Sequence, residues 1–226
     1  MASRRRCNHL GVRMSSAMPN KLIIVGAGGH GRVVADIAES LGTYKEIRFL
    51  DDNAGNKSAG LGPYPIVGGI GAANDYRGWS FFVAIGDSGT RKSMTNDLKK
   101  QSFELATLIH PSAVVSAYAS IGEGSVVMPG AVVAPGAVVG DGCIVNTCAS
   151  LDHDSVLSDW SHIAVGAHVA GNVRIGSGVW VGAGATIIND IEVCSNCMIG
   201  AGCVVVRDVE LPGTYLGVPA RCHSER

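Results

Sequence analysis

Ile121-Gly122-Glu123-Gly124-Ser125-Val126-Val127-Met128-Pro129-Gly130-Ala131-Val132-Val133 returns an aliphatic residue at every sixth position, and the same beat runs from Ile109 to Val205 without a slip. Four places after each of these stands a second column that is mostly small, with Ala113, Ser125, Ala137, Cys143 and Ala167 among its members and Val173 and Ile191 as exceptions. A period of six is neither the helical 3.6 nor an alternation of two, so the repeating unit must turn a corner every six residues. Each hexad is then a short strand plus a turn, with the aliphatic residue inward and the small one beneath the corner. Three such sides close one coil of a parallel β-helix. With coils spaced like neighbouring strands, roughly 4.7–4.9 Å, nearly six of them make a prism on the order of 27 Å tall.

The totals exclude several function classes. A net charge of −1 supplies no field for gripping nucleic acid. The uncharged run from Gly124 to Gly140 has the length of a membrane span, but it holds Pro129, Pro135 and four glycines and keeps the hexad beat, so no membrane association is expected. Arg4-Arg5-Arg6 is a basic cluster in a leader without acidic residues, and residues 1–20 are set aside as a disordered leader. The seven cysteines are an odd number. Three of them, Cys143, Cys197 and Cys203, fall in the small inward column, which suits reduced thiols in a cytoplasmic protein. Cys194 and Cys197 have metal-like spacing, but no second pair exists and the hexad grid gives them different orientations, so no metal is expected.

Ahead of the repeats, Lys21 to Val25 is a short apolar run leading into Gly26-Ala27-Gly28-Gly29-His30-Gly31 and a helical pattern from Arg32 to Ala38. Strand, glycine turn and helix start form the arrangement in which backbone N–H groups and a helix dipole hold an anion. Asp51-Asp52 follow a second strand, Ile47 to Leu50, at the distance of a dinucleotide fingerprint. Fewer than ninety residues precede the hexads, however, enough for one mononucleotide-binding half. A single nucleotide diphosphate is the better guest. A third strand, Phe81 to Ile85, ends at Gly86-Asp87, Tyr64 to Gly69 reads as a minor strand and turn, and Thr90 to Gln101 as a helix with a solvated basic face.

One coil departs from small and apolar turns. Asp152-His153-Asp154 places two carboxylates around an imidazole, with His162 nine residues on. The flanking acids raise the basicity of His153 and fix its tautomer, as a general base requires. Beyond Val209 the beat breaks, and residues 211–226 are expected to leave the prism as a loop and tail covering its last coil, which would otherwise present unpaired strand edges.

From Lys21 to Arg221 the chain resembles the sialic-acid O-acetyltransferase-like family of hexapeptide acyltransferases, and within it the bacterial UDP-4-amino-sugar N-acetyltransferases of the bacillosamine pathway. The residues carrying the likeness include Val25 to Gly31, Phe49 to Asp52, Ala84-Ile85-Gly86, Leu108 to Ala113, Asn146-Thr147, His153, Ser161-His162, Ala170 to Val173 and Gly217 to Ala220. The resemblance implies that the β-helix is left-handed, against the usual rule for parallel crossovers. It also implies a homotrimer with acetyl-CoA in the cleft between neighbouring prisms. The organisation expected is a Rossmann-like nucleotide-sugar-binding domain over 21–107 and an acetyltransferase β-helix over 108–210.

By position, His153 matches the family's catalytic base, and Asp154 stands where relatives carry a glutamate that makes the base more basic. The shorter carboxylate leaves open whether Asp154 or Asp152 is the partner. The resemblance places Gly28, Gly29, His30, Asp51, Asp52 and Gly86 at the nucleotide sugar, with Asp87 where relatives often have asparagine. It places His162, Ala183 and Ala201 at acetyl-CoA. The activity implied is acetylation of the 4-amino group of a UDP-linked 4-amino-4,6-dideoxy sugar. The alternatives are a GDP- or dTDP-linked amino sugar, O-acetylation of a sialic acid, or a nucleotide-binding structural module without catalysis.

Overall fold

The computed structural model describes residues 20–53 and 63–223. The expected leader, residues 1–20, lies outside them apart from Asn20.

The first unit is a parallel sheet of β1 (Lys21–Val25), β2 (Glu46–Leu50), β3 (Ser80–Val83) and β4 (Glu104–Leu105), in the order β2-β1-β3-β4. Helices α1 (Gly29–Leu41) and α2 (Ser88–Lys100) follow β1 and β3. The central strands β1 and β3 are almost wholly buried because the sheet is covered on both faces. Leu22, Ile24, Phe49 and Phe82 face α1, while Ile23, Val25, Phe81 and Val83 pack with Leu98 of α2. The minor strand expected near Tyr64 is reduced to isolated bridge residues at Tyr64 and Ile66, the latter paired in parallel with Phe49.

The hexads then wind from β5 (Leu108–Ile109) to β21 (Val204–Val205) as two-residue strands on three faces. Each strand pairs in parallel with the strand eighteen residues on, as Val133 does with Leu151 and Leu151 with Val169. About six turns of β-solenoid result. The aliphatic column and the small column both point inward, and Val145, Leu151, Leu157, Ile163, Ala167 and Cys143 are all sealed from solvent. Burying each Val, Ile or Leu side chain contributes roughly 1.5–3 kcal/mol, so the core is a ladder of equal rungs. Corners are made by residues in the left-handed region at the same interval of six, from Gly124 to Gly142 and on through Cys148, Asp154 and Trp160. Trp160, at φ 65°, is a bulky side chain where the other corners use small or short polar ones.

The first face carries β5, β8 (Val126–Val127), β11 (Ile144–Val145), β14 (His162–Ile163), β17 (Trp180–Val181) and β20 (Met198–Ile199). Its outward residues Leu108, Val126 and Ile144 are buried in one cluster with Val34, Ala35 and Ala38 of α1, so the first unit sits on this face. The segment expected to be a loop after residue 210 instead extends it. β22 (Thr214–Leu216) pairs in parallel with β20, and β23 (Arg221–Cys222) turns back antiparallel on β22. The edge of β20 is thus covered by backbone pairing. Among the described residues, no helix is long and apolar enough to cross a membrane.

Candidate active site

Gly26, at φ +100°, donates its N–H to the Leu50 carbonyl (2.8 Å) and turns the chain out of β1 into α1. A side chain at Gly31 would collide with the Gly26 carbonyl oxygen, so helix and turn approach as only glycine allows. Asp51, buried at the end of β2, accepts from the backbone N–H of Ala27 (2.7 Å) and of Asn53 (2.8 Å). Its carboxylate therefore ties the glycine turn to the second strand. Asp52 accepts from the N–H of Ile70 (2.8 Å), fixing the start of the 3-10 helix Ile70–Tyr76. Between these groups lies a cavity of about 430 Å³ at the carboxyl ends of the strands. Gly28, Gly29, His30, Asp51, Asp52 and Gly86 all line it. Asp87 is occupied elsewhere: it is the N-cap of α2 and accepts from the Thr90 N–H (2.8 Å).

His30 and His162 lie close enough for the charge of His30 to add to the lowering of the His162 pKa. His30 sits at the cavity with its Nε2 buried and without a hydrogen-bond partner, and burial together with the Arg91 charge lowers its pKa to about 4. His162 projects from β14 on the first face and is 7 % exposed. Asn146 accepts the Thr147 N–H on its Oδ1 (2.8 Å), which turns its Nδ2 donor toward His162 Nε2 at 3.0 Å. The ring proton of His162 then belongs on Nδ1, which is buried and unpartnered. Trp180 lies against the ring at a centroid distance of 4.2 Å. Burial first, then the charges of Arg91 and His30, lower its pKa to about 3, so the imidazole is neutral and an N–H donor at physiological pH.

His153 is placed differently. It stands in the turn between β12 (Ser150–Leu151) on the second face and β13 (Val156–Leu157) on the third. Its side chain is 56 % exposed, and its Nδ1 lies 3.0 Å from Asp154 Oδ2. Asp152 instead accepts the backbone N–H of His153 (2.7 Å). The hydrogen bond to Asp154 is the largest cause raising the His153 pKa, with Asp152, Asp154 and Asp190 adding their charges. The ring lies over Gly171 of the next coil, where a methyl group would collide with it.

Within one chain these parts do not meet. The first unit and His162 occupy the first face, and His153 occupies the corner between the other two. Ala183 and Ala201 lie at a third place, exposed in stacked turns between the first and second faces, with the Ala183 carbonyl accepting the Gly202 N–H.

Two readings of the sequence are corrected. The helix from Ser88 does not carry only a solvated basic face, because Arg91 is 1 % exposed and shares its buried side with Thr95 and Leu98. Positions i, i+4 and i+7 of that helix were the available signal. Cys194 and Cys197 do not point apart: their sulfurs are 3.4 Å from each other. Among the described residues no cluster of three His, Cys, Asp or Glu side chains could hold a metal ion.

A nucleotide-sized cavity on a half-Rossmann sheet, joined to a hexapeptide solenoid with a carboxylate-paired histidine at a corner, defines a hexapeptide-repeat acyltransferase. The model of the PglD N-terminal domain matches residues 21–98, and that of the bacterial transferase hexapeptide (six repeats) matches 118–153 and 172–207. The acetyltransferase domain of PglB from Neisseria gonorrhoeae FA1090 is 42 % identical, with a TM-score of 0.87 over 90 % of this chain and 100 % of that one. The same domain has been solved in complex with acetyl coenzyme A. A variant of GDP-perosamine N-acetyl transferase from Caulobacter crescentus, in complex with CoA and GDP-perosamine, is 34 % identical with a TM-score of 0.86 over 91 % and 97 % of the two chains. UDP-N-acetylbacillosamine N-acetyltransferase of Bacillus subtilis is 36 % identical over 109 residues, which are 46 % of this chain and 50 % of that protein, so the match spans half the length of that relative. The chain belongs to the PglD- and PglB-like acetyltransferases of the hexapeptide-repeat family.

Proposed function

We propose that the protein transfers the acetyl group of acetyl-CoA to the 4-amino group of a nucleotide-linked 4-amino-4,6-dideoxy sugar, with a UDP-linked sugar as the first candidate. The observation that carries the reading is that Gly28, Gly29, His30, Asp51, Asp52 and Gly86 line one cavity at the ends of the β-strands. The glycine turn and the start of α1 offer N–H groups to a diphosphate. The Bacillus relative supports UDP, and the Caulobacter relative keeps a GDP-linked sugar as the second reading.

His153 is the base. The amine lone pair attacks the thioester carbonyl carbon, His153 takes the amine proton, the C–S bond breaks, and the proton passes to the departing CoA thiolate. Positioned proton transfer of this kind contributes typically 10²–10⁴-fold. Asp154 accepts from Nδ1–H and so leaves Nε2 as the free acceptor, while Asp152 fixes the backbone of the same turn.

Because the sugar cavity and His153 lie on different sides of one prism, the working site needs a second copy of the chain. A homotrimer with prisms side by side brings the His153 corner of one protomer to the cavity and the Ala183 and Ala201 corner of its neighbour, with acetyl-CoA between them. Arg221 and Arg207 line a smaller cavity of about 220 Å³ at the carboxyl end, where a CoA phosphate would find cations. The reaction belongs in the cytoplasm, which supplies acetyl-CoA and keeps thiols reduced.

The test is thiol release from acetyl-CoA with a panel of UDP-, GDP- and dTDP-linked 4-amino sugars and with sialic acid. The reading predicts CoA release with one nucleotide amino sugar and with no other class. Release with sialic acid alone would replace N- by O-acetylation, and binding of nucleotide without any release would leave a non-catalytic module.

A further inference from the structure

Arg91 is the largest fully buried side chain among the described residues, and it has no salt-bridge partner there. Asp87, whose charge favours the Arg91 cation, uses its hydrogen bond in capping α2. Instead the guanidinium spends its donors on four backbone carbonyls. Nη1 donates to Ile85 (2.9 Å) and Gly86 (2.7 Å), Nε to Gly142 (2.8 Å) and Nη2 to Trp160 (2.7 Å). A buried cation whose hydrogen bonds all go to neutral carbonyls, with Asp87 adding its charge but no hydrogen bond, is expensive to keep. The four acceptors fall into two groups. Ile85 and Gly86 follow β3 on the way into α2, and both line the sugar-nucleotide cavity. Gly142 and Trp160 are corners of successive coils, and Trp160 lies two residues before His162.

A second feature marks the same spot. Trp160 holds a left-handed conformation that a bulky side chain rarely adopts, and its ring lies over Gly142, where an added methyl group would collide with it. Strain of this kind persists only where the surroundings over-determine the backbone. Arg91 grips both of these corner carbonyls. Lys99 of the same helix also reaches the prism, through Glu123 (2.9 Å) and Asp141 (3.0 Å), but from a partly exposed position and without touching the cavity.

We propose that Arg91 is a positioning residue for the transfer reaction: its guanidinium fastens the Gly86 end of the nucleotide cavity to the coils that carry His162, setting the separation between sugar and thioester. The inference rests on the acetyltransferase reading of the site. It assigns Arg91 no contact with substrate. Lysine keeps the charge but cannot span four carbonyls in two directions, since its ammonium is a point donor rather than a fork.

The experiment compares full-length wild type, Arg91→Lys, Arg91→Met and Lys99→Met in steady-state acetyl transfer, with acetyl-CoA affinity and thermal midpoint measured alongside. Misplacement by an ångström can cost up to about a hundredfold, so Arg91→Lys should lose at least tenfold in kcat/KM for the sugar nucleotide. Its acetyl-CoA affinity should stay within about twofold of wild type, a split that general loosening of the fold does not produce. Lys99→Met should lower the thermal midpoint and leave both kinetic constants unchanged. Arg91→Met should match or exceed the lysine loss; if it does not fold, the lysine variant decides alone. Wild-type kinetics in Arg91→Lys, with only a lowered midpoint, would overturn the positioning role. Equal losses for both substrates, or an equal kinetic loss in Lys99→Met, would overturn it as well. Absence of transfer by the wild type would remove the acetyltransferase reading and this inference together, whereas an active wild type with unaffected Arg91 variants removes this inference alone.

Discussion

His153 meets its acid in the adjacent residue, and the choice between two carboxylates is made by backbone geometry. Asp154 sits at φ 59° in the corner, which swings its side chain back to Nδ1, while Asp152 is turned to the backbone N–H. His153→Ala should lower turnover about a hundredfold or more with acetyl-CoA binding intact; near-normal steady-state turnover would remove His153 from the base role. The pH dependence has a definite sign. A raised pKa keeps His153 protonated above its ordinary 6.5, so the free base appears late and kcat/KM climbs with pH through that raised value. Asp154→Asn removes the largest cause of the shift, and the acid limb should move to lower pH while the plateau falls. A limb that stays in place assigns the titration to another group. Asp52→Ala should raise the KM for the sugar nucleotide well above any change for acetyl-CoA, read from paired saturation curves.

At the scale of the element, the hexad beat made the solenoid legible because from Val127 to Val205 every sixth side chain is sealed inside it, and the glycine turn made β1 and α1 legible because only glycine fits the crossing at Gly31. The burial of Arg91 had only the spacing of positions 91, 95 and 98 to show it, and its bonding partners had no signal at all. A basic residue on a short helix normally faces water, and its buried role depends on carbonyls that are far away in sequence, at Gly142 and Trp160. The end of the chain was misread for a related reason: β22 lost the hexad spacing but kept the backbone pairing, which periodicity does not see. The Cys194–Cys197 contact likewise arises from how one corner folds rather than from the column each residue occupies. Packing between coils predicts its own failure point. A methyl group at Gly122 would strike the backbone of Gly140 in the next coil, so Gly122→Ala should cost about 3 kcal/mol or more in chemical denaturation. A loss below about 1 kcal/mol would mean that the coils can slide apart at that corner.

For the whole molecule, His30 and His162 make stability depend on pH. Both are held neutral in the folded chain, with pKa values of about 4 and about 3, and both would ionise near 6.5 once unfolded. Their contribution is complete above about 6.5 and is lost as pH falls toward their folded values, because the unfolded chain then binds more protons. The thermal midpoint should therefore drop between pH 7 and 4.5, and His162→Gln should flatten that drop; an unchanged slope would place the acid sensitivity in the carboxylates. The same topology keeps His153 away from the cavity of its own chain, on the corner opposite the face that the first unit covers. The most direct measurement mixes two variants, His153→Ala and Asp52→Ala, through unfolding and joint refolding, and reads transfer at low sugar nucleotide. Random trimers with sites shared between neighbours should regain about a quarter of wild-type activity, since a quarter of the seams combine an intact base with an intact cavity. Activity no higher than that of the two variants refolded separately would contradict a shared site.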